Sequence, residues 1–67
     1  MIENDKVQQF ISDSAIIDDG ASIGRFVVIE DNVKIGANCT ISHNVVIHAD
    51  SIIGDNVRID ACSVIGK

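Results

Sequence analysis

Two histidines, His43 and His48, and one glutamate, Glu30, are the residues of this chain best suited to acid–base chemistry or metal binding. The histidines are five positions apart, which on an extended segment separates them by about 16 Å, too far to bind one metal ion within a single chain. Glu30 precedes His48 by eighteen residues, and Arg25 precedes His43 by the same interval. A chain that returns on itself every eighteen residues would therefore stack each pair.

A carboxylate one strand spacing from an imidazole favours the protonated ring and orients it, as the partner of a general base or of a metal-ligating histidine does. The pattern predicts His48, supported by Glu30, as a catalytic base, with His43 of a neighbouring subunit as the second candidate. Two other interpretations stay open. His43, His48 and Glu30 could form a metal site across a subunit interface, or His48 could be a surface histidine with a mild ion pair.

The element that must position these residues is a run of isoleucines at every sixth position from Ile11 to Ile65. The fifth place of each six-residue unit is small or β-branched, as in Ala21, Val33 and Cys39. Side chains alternate along a strand, so the fifth residue and the next isoleucine point the same way. Short strands joined by tight corners would place every isoleucine identically, and the repeat therefore predicts an all-β parallel solenoid.

Three such strands make one triangular coil of eighteen residues, stacked about 4.8 Å above the coil before it. The predicted coils cover residues 11–28, 29–46 and 47–64, within a repeat domain at 11–67 that follows a lead-in or cap at 1–10. The fourth place of most units is Gly, Asn or Asp, which tolerate the left-handed backbone region needed at corners. Ser14, Phe26 and Cys62 depart from this rule, and the sequence predicts another turn type there.

Three segments of the repeat look like the start of the UDP-N-acetylglucosamine acyltransferases of lipid A synthesis. They are DDGASIG (18–24), GRFVVIE (24–30) and SHNVVIH (42–48). Nucleotide-sugar N-acetyltransferases share much of this consensus, so the chain resembles the hexapeptide-repeat acyltransferases over residues 11–67. The resemblance implies a left-handed parallel β-helix and a homotrimer with active sites in the grooves between parallel prisms.

The same resemblance implies transfer of an acyl group from acyl-CoA or acyl carrier protein to a nucleotide sugar, with a histidine as general base and no metal. In the lipid A enzymes the first coils are scaffold, and the catalytic histidine comes from later coils. The chain is therefore also expected to be an N-terminal fragment of such an enzyme or, as the competing class, a non-catalytic β-helix structural or assembly module.

A second resemblance concerns the γ-class carbonic anhydrases, zinc-binding β-helix trimers that have an H-x4-H pair like His43 and His48. That family has a third ligand one coil earlier, where this chain has Glu30, and a glutamine six residues before it, where this chain has Gly24. Glutamate is an admissible zinc ligand. The resemblance implies a γ-carbonic-anhydrase-like zinc protein as a further alternative.

Composition narrows the function classes. The net charge of −5 argues against nucleic acid as a partner, because phosphates need a basic surface. No stretch approaches the length of a membrane span, and the charged N-terminus lacks an apolar signal region, so a cytoplasmic protein is expected. The two cysteines, Cys39 and Cys62, match no metal-binding spacing and are expected to be reduced thiols.

The sixth place of each unit points outward and gives the three predicted faces different characters. One face is apolar and consists of Phe10, Val28, Val46 and Val64. The second combines Ile16, Lys34 and Ile52, and the third is polar, with Ser22, Thr40 and Arg58. An exposed apolar column usually marks association, so the first face is predicted to mediate self-association.

Overall fold

The computed structural model describes residues 9–66, which form ten short strands joined by tight corners. The strands are β1 (Gln9–Ile11), β2 (Ile16–Ile17), β3 (Ser22–Ile23), β4 (Val27–Ile29), β5 (Lys34–Ile35), β6 (Thr40–Ile41), β7 (Val46–Ile47), β8 (Ile52–Ile53), β9 (Arg58–Ile59) and β10 (Val64–Ile65). This part of the chain contains no helix, and hence none long and apolar enough to cross a membrane. The first strand begins inside the predicted lead-in at 1–10, and residues 1–8 lie outside the described residues.

The strands stack into three parallel sheets, which confirms the predicted solenoid of about three coils. The first sheet has the order β1-β4-β7-β10, the second β2-β5-β8 and the third β3-β6-β9. Each pairing joins residues eighteen apart, as in Ile11 with Ile29 and Ile29 with Ile47. Residues in the same place of successive coils therefore lie directly above one another.

The core is the column of isoleucines together with the fifth-place residues, as the alternation of side chains predicts. Its buried members are Val27, Ile29, Val33, Ile35, Cys39, Ile41, Val45, Ile47, Ile53 and Ile59. Burial is deepest in the middle coil, because its side chains have neighbours both above and below. Ile11, in the lowest described strand, remains 37% exposed.

Outward side chains form the three predicted faces. On the first face Phe10 pairs in register with Val28, Val28 with Val46, and Val46 with Val64. Phe10 and Val64 at the two ends are exposed, whereas the two valines between them are half-buried. The second face exposes Ile16, Lys34 and Ile52, and the third exposes Ser22, Thr40 and Arg58.

Three corners separate the sheets, and we name them for the sheet they follow. The first corner comprises residues 12–14, 30–32 and 48–50, the second 18–20, 36–38 and 54–56, and the third 24–26, 42–44 and 60–62. Positive φ angles occur at the fourth place of seven units, namely Phe26, Asn32, Asn38, Asn44, Asp50, Asn56 and Cys62. The corner backbone is therefore nearly uniform along the solenoid.

The turn prediction was wrong at three fourth-place residues. Phe26 and Cys62 adopt the left-handed conformation (φ 57° and 64°) despite their side chains, whereas Gly20 does not adopt it. At Cys62, as at Asn44, the fourth-place amide donates to a carbonyl of the coil below, which imposes the turn. In the first coil the amide of Gly20 bonds instead to its own corner's Asp18 carboxylate at 3.1 Å, a local turn that needs no positive φ.

Replacing Phe26 by asparagine should stabilise the fold. A left-handed conformation costs an ordinary L-residue about 1–2 kcal/mol, whereas asparagine tolerates it well. The Phe26 ring is 60% exposed and loses little packing on removal. We expect Phe26→Asn to raise the free energy of unfolding by about 1 kcal/mol, measured by urea denaturation followed by circular dichroism. Asn38→Phe, the reverse change at φ 59°, should lower it; a destabilised Phe26→Asn variant would contradict the strain argument.

Two stacked glycines provide a matched test of close coil approach. A Cβ on Gly36 would lie 2.9 Å from the carbonyl oxygen of Gly54 and would also strike Asp55, whereas a Cβ on Gly54 would meet nothing within 4 Å. We expect Gly36→Ala to cost about 1–3 kcal/mol of stability through overpacking, and Gly54→Ala to have a much smaller effect, in the same urea assay. Equal effects of the two substitutions would show that the space between coils is not limiting.

Candidate functional site

His48 and Glu30 meet at the first corner, as the eighteen-residue interval predicts. Glu30 directly follows β4 and His48 directly follows β7, and these strands pair with Ile29 opposite Ile47. The register places the Nδ1 atom of His48 3.1 Å from Oε1 of Glu30. The same carboxylate oxygen accepts the backbone N–H of Ala49 at 3.0 Å. Two donors from one turn thus fix the glutamate below the histidine.

The charge state of Glu30 determines the tautomer of His48. The hydrogen bond from His48, followed by that from the Ala49 amide, lowers the pKa of Glu30 below its ordinary value. An ionised carboxylate only accepts hydrogen bonds, so Nδ1 of His48 must donate. Nε2 of the neutral ring then has a free lone pair. The His48 side chain is 27% exposed, so the ring is partly desolvated.

His43 lies at the third corner, at the opposite end of β7 from His48. Its Nδ1 atom accepts a hydrogen bond, whereas Nδ1 of His48 donates one. The donor to His43 is the backbone N–H of Arg25, at 2.8 Å. Arg25 lies beneath His43, as the interval predicts, but the contact is made by its main chain and not by its guanidinium. Because an amide N–H can only donate, Nδ1 carries no proton, and the neutral ring is protonated at Nε2. His43 therefore offers a donor where His48 offers an acceptor.

Metal ligands do not come together within the described chain. Residues 9–66 contain no group of three or more His, Cys, Asp or Glu side chains that could hold a metal ion. Glu30 and His48 are adjacent, whereas His43 lies at the far end of β7. Cys39 is buried and donates to the Gly54 carbonyl at 3.0 Å, and Cys62 is exposed at the third corner. A metal site across a subunit interface stays a prediction.

The comparison with known families agrees with this architecture. The family described as bacterial transferase hexapeptide (six repeats) matches residues 10–43 and 32–67 of the chain. The chain belongs to this hexapeptide-repeat family. A search of curated proteins finds no significant match. The predicted hexapeptide-repeat superfamily is thus confirmed, and the ten stacked strands are the coils of its β-helix.

Charge is divided unevenly among the corners of this hexapeptide solenoid. The first corner carries the carboxylates of Asp13, Glu30, Asp31 and Asp50, and the second carries those of Asp18, Asp19 and Asp55. At the third corner the described acidic residue is Asp60, whose Oδ1 accepts Nε of Arg58 at 3.0 Å. Arg25 adds a positive charge there. The acidic character of the chain is therefore concentrated on two of the three edges.

An open groove of about 480 Å³ lies on the third corner, lined by Arg25, Phe26, His43 and Asn44. The sequence alone indicated that Arg25 and His43 stack, but it did not identify Phe26 or Asn44 as candidate binding residues. The feature that could have identified Phe26 is an aromatic residue at a corner place where asparagine is otherwise common. It becomes informative once the φ of 57° and the 60% exposure of Phe26 are known.

The Glu30–His48 contact should make stability depend on pH. Because the folded-state pKa of Glu30 is lowered, its contribution is present above the unfolded value, about 4.3, and is lost as pH falls through the folded value. We expect Glu30→Gln to be less stable than the wild type at pH 6 and the difference to close toward pH 3, measured by urea denaturation at each pH.

A double-mutant cycle provides the control for this linkage. In a His48→Ala background the largest cause of the lowered pKa is absent, so Glu30→Gln should have a smaller effect at pH 6 than in the wild type. An undiminished effect would mean that the imidazole does not hold the carboxylate in its ionised form.

Proposed function

We propose that the chain is an acyltransferase, or the N-terminal part of one, in which His48 is the general base. The observation that carries the proposal is the contact of 3.1 Å between Oε1 of Glu30 and Nδ1 of His48. In the neutral ring this contact directs the proton to Nδ1 and the free lone pair to Nε2. A base needs a free lone pair and a fixed ring orientation, and in the neutral ring this contact supports both. Glu30 acts through His48 and is a positioning residue.

In the proposed reaction the nitrogen or oxygen of the acceptor attacks the carbonyl carbon of a thioester. Nε2 of His48 takes the proton that the acceptor amine or hydroxyl loses as the new bond forms. The tetrahedral intermediate then collapses with cleavage of the C–S bond, and the proton passes from Nε2 to the departing thiolate. The imidazolium formed between these steps is stabilised by the Glu30 carboxylate 3.1 Å from Nδ1.

The proposed donor is acyl-CoA or an acyl carrier protein, and the proposed acceptor is a nucleotide sugar. Family membership supports acyl transfer as the reaction class, and the segments DDGASIG, GRFVVIE and SHNVVIH support the choice of acceptor. The chemistry itself requires only a thioester and a nucleophile with a removable proton, so the assay begins with several acceptors. A cytoplasmic location belongs to the same proposal.

We also propose that the active form is a homotrimer associated through the apolar first face. Phe10, Val28, Val46 and Val64 form a continuous ladder on one side of the prism, and its ends are 59% and 62% exposed. Burying this column would remove apolar area from water at about 25 cal/mol per Å². His48 directly follows the ladder's strand β7, so subunits associated there would border the catalytic corner.

The decisive assay measures thiol release from acetyl-CoA with a panel of amino-sugar and hydroxyl-sugar nucleotides. We expect His48→Ala to lower kcat by a factor on the order of 100 or more. Glu30→Gln should lower kcat by roughly tenfold with little change in KM, because a positioning partner is lost. Asp31→Asn is the matched control: it removes a carboxylate from the same corner, but that carboxylate contacts the Ser12 hydroxyl and not an imidazole.

Three outcomes would overturn the catalytic assignment. Full turnover in His48→Ala would remove the proposed base. Absence of both turnover and saturable acyl-CoA binding in a folded protein would favour the non-catalytic structural module. Activity or trimer formation abolished by a chelator and restored by zinc would favour the interface metal site of His43, His48 and Glu30.

A further inference from the structure

The third corner combines backbone strain with an exposed aromatic ring. Phe26 has φ 57°, in the left-handed region where a bulky L-residue is a genuine outlier, yet its ring is 60% exposed. Directly above it, Asn44 adopts nearly the same angle, φ 59°, without such a penalty. The fold therefore does not need a phenylalanine there. Strained residues cluster at functional sites, and Phe26 combines its strain with an exposed ring beside a groove, which points to a ligand-binding role.

Three residues with side-chain hydrogen-bond donors line the same groove as Phe26. Arg25, next to Phe26, supplies a guanidinium whose planar donors match phosphate oxygens. His43 has its Nδ1 occupied by the Arg25 main-chain amide at 2.8 Å, so its neutral ring offers Nε2–H. Asn44 completes the lining with a side-chain amide that can both donate and accept. The groove thus contains one aromatic surface and three polar side chains suited to an anion.

The electrostatic setting favours an anion at this corner over the other two. The first corner carries four carboxylates and the second three, whereas the described carboxylate of the third corner, Asp60, is paired with Arg58. An incoming anion would be repelled at the first two edges. At the third it meets Arg25, which forms no ion pair with any residue of the described range 9–66.

We propose that this groove binds a nucleoside diphosphate, with the base stacked on Phe26 and the phosphates held by Arg25 and His43. Stacking on an aromatic ring is tolerant of base identity, since every base has a π-face. A guanidinium beside the ring selects ligands that join a flat apolar group to a phosphate chain. Asn44 then contacts polar atoms of the base or the sugar.

The binding site is separate from the proposed catalytic corner, because His43 and His48 lie at opposite ends of β7. A nucleoside diphosphate is also the chemistry shared by CoA and nucleotide sugars, and to that extent the site extends the proposed function. Binding is measured without turnover, so the two proposals fail independently. Loss of nucleotide binding would leave the His48 assay intact, and an inactive enzyme would still be testable here.

Isothermal titration calorimetry of the full chain with UDP, ADP, pyrophosphate and uridine tests the proposal. We expect UDP and ADP to bind saturably with similar affinity, and pyrophosphate and uridine each to bind at least about tenfold more weakly, because each lacks one half of the contact. Higher salt should weaken UDP binding. Pyrophosphate binding as tightly as UDP would overturn the role of Phe26, and no saturable heat with UDP or ADP would overturn the site.

Four variants separate binding from folding. Phe26→Asn should lower UDP affinity at least about tenfold and at the same time stabilise the fold. A residue with a purely structural role would not change binding and stability in opposite directions. Phe26→Tyr should retain binding because the ring is kept. Arg25→Gln should weaken UDP and pyrophosphate but not uridine. Lys34→Gln, the control, removes one positive charge from the second face and should bind UDP like the wild type. Unchanged UDP affinity in both Phe26→Asn and Arg25→Gln would overturn the proposal.

Discussion

Parallel hydrogen bonding between coils eighteen residues apart is the constraint on which the rest of this structure depends. Outward residues of the strands from β2 to β7 donate their amides to the coil above, as from Ile16 to the carbonyl of Val33 and from Val28 to that of Val45. With strands of two or three residues, neither sheet nor corner can shift without breaking this register. Every side chain therefore has a fixed neighbour in the same place of the next coil. Isoleucines stacked on isoleucines form the core, and the stacking of His48 on Glu30 forms the candidate catalytic pair.

The same constraint explains why corner conformation is largely independent of residue type. The amide of Cys62 donates to His43 of the coil below in the way that Asn44 donates to Arg25. A cysteine in the left-handed region loses about 1–2 kcal/mol relative to asparagine. Breaking an inter-coil hydrogen bond and leaving its donor unpaired costs a comparable or larger amount, and would also disturb the stacked isoleucines on both sides. The register therefore determines the corner, and the unfavourable side chain is tolerated.

The period of six predicted the solenoid, its core and the three faces, because these follow from side-chain alternation and stacking alone. It also predicted that Glu30 lies beneath His48. It did not predict the left-handed turns at Phe26 and Cys62, since corner propensity is a local property, whereas the hydrogen bond that overrides it at Cys62 joins two coils. The period also could not predict which ring nitrogen of His43 accepts a hydrogen bond and which carries the proton. Spacing places Arg25 below the ring, but it does not say whether the guanidinium or the main-chain amide makes the contact.

That last difference matters for the chemistry of the histidine pair. Both rings lie one coil above a potential partner, and the sequence already favoured His48 as the base because its partner, Glu30, is a carboxylate. A carboxylate below His48 leaves Nε2 able to accept a proton or a metal ion. An amide donor below His43 requires the proton to be on Nε2, so metal binding or base catalysis through that atom would first break the bond to Arg25. The two ends of β7 thus present an acceptor and a donor, which favours proton transfer at one corner and ligand binding at the other over a shared metal.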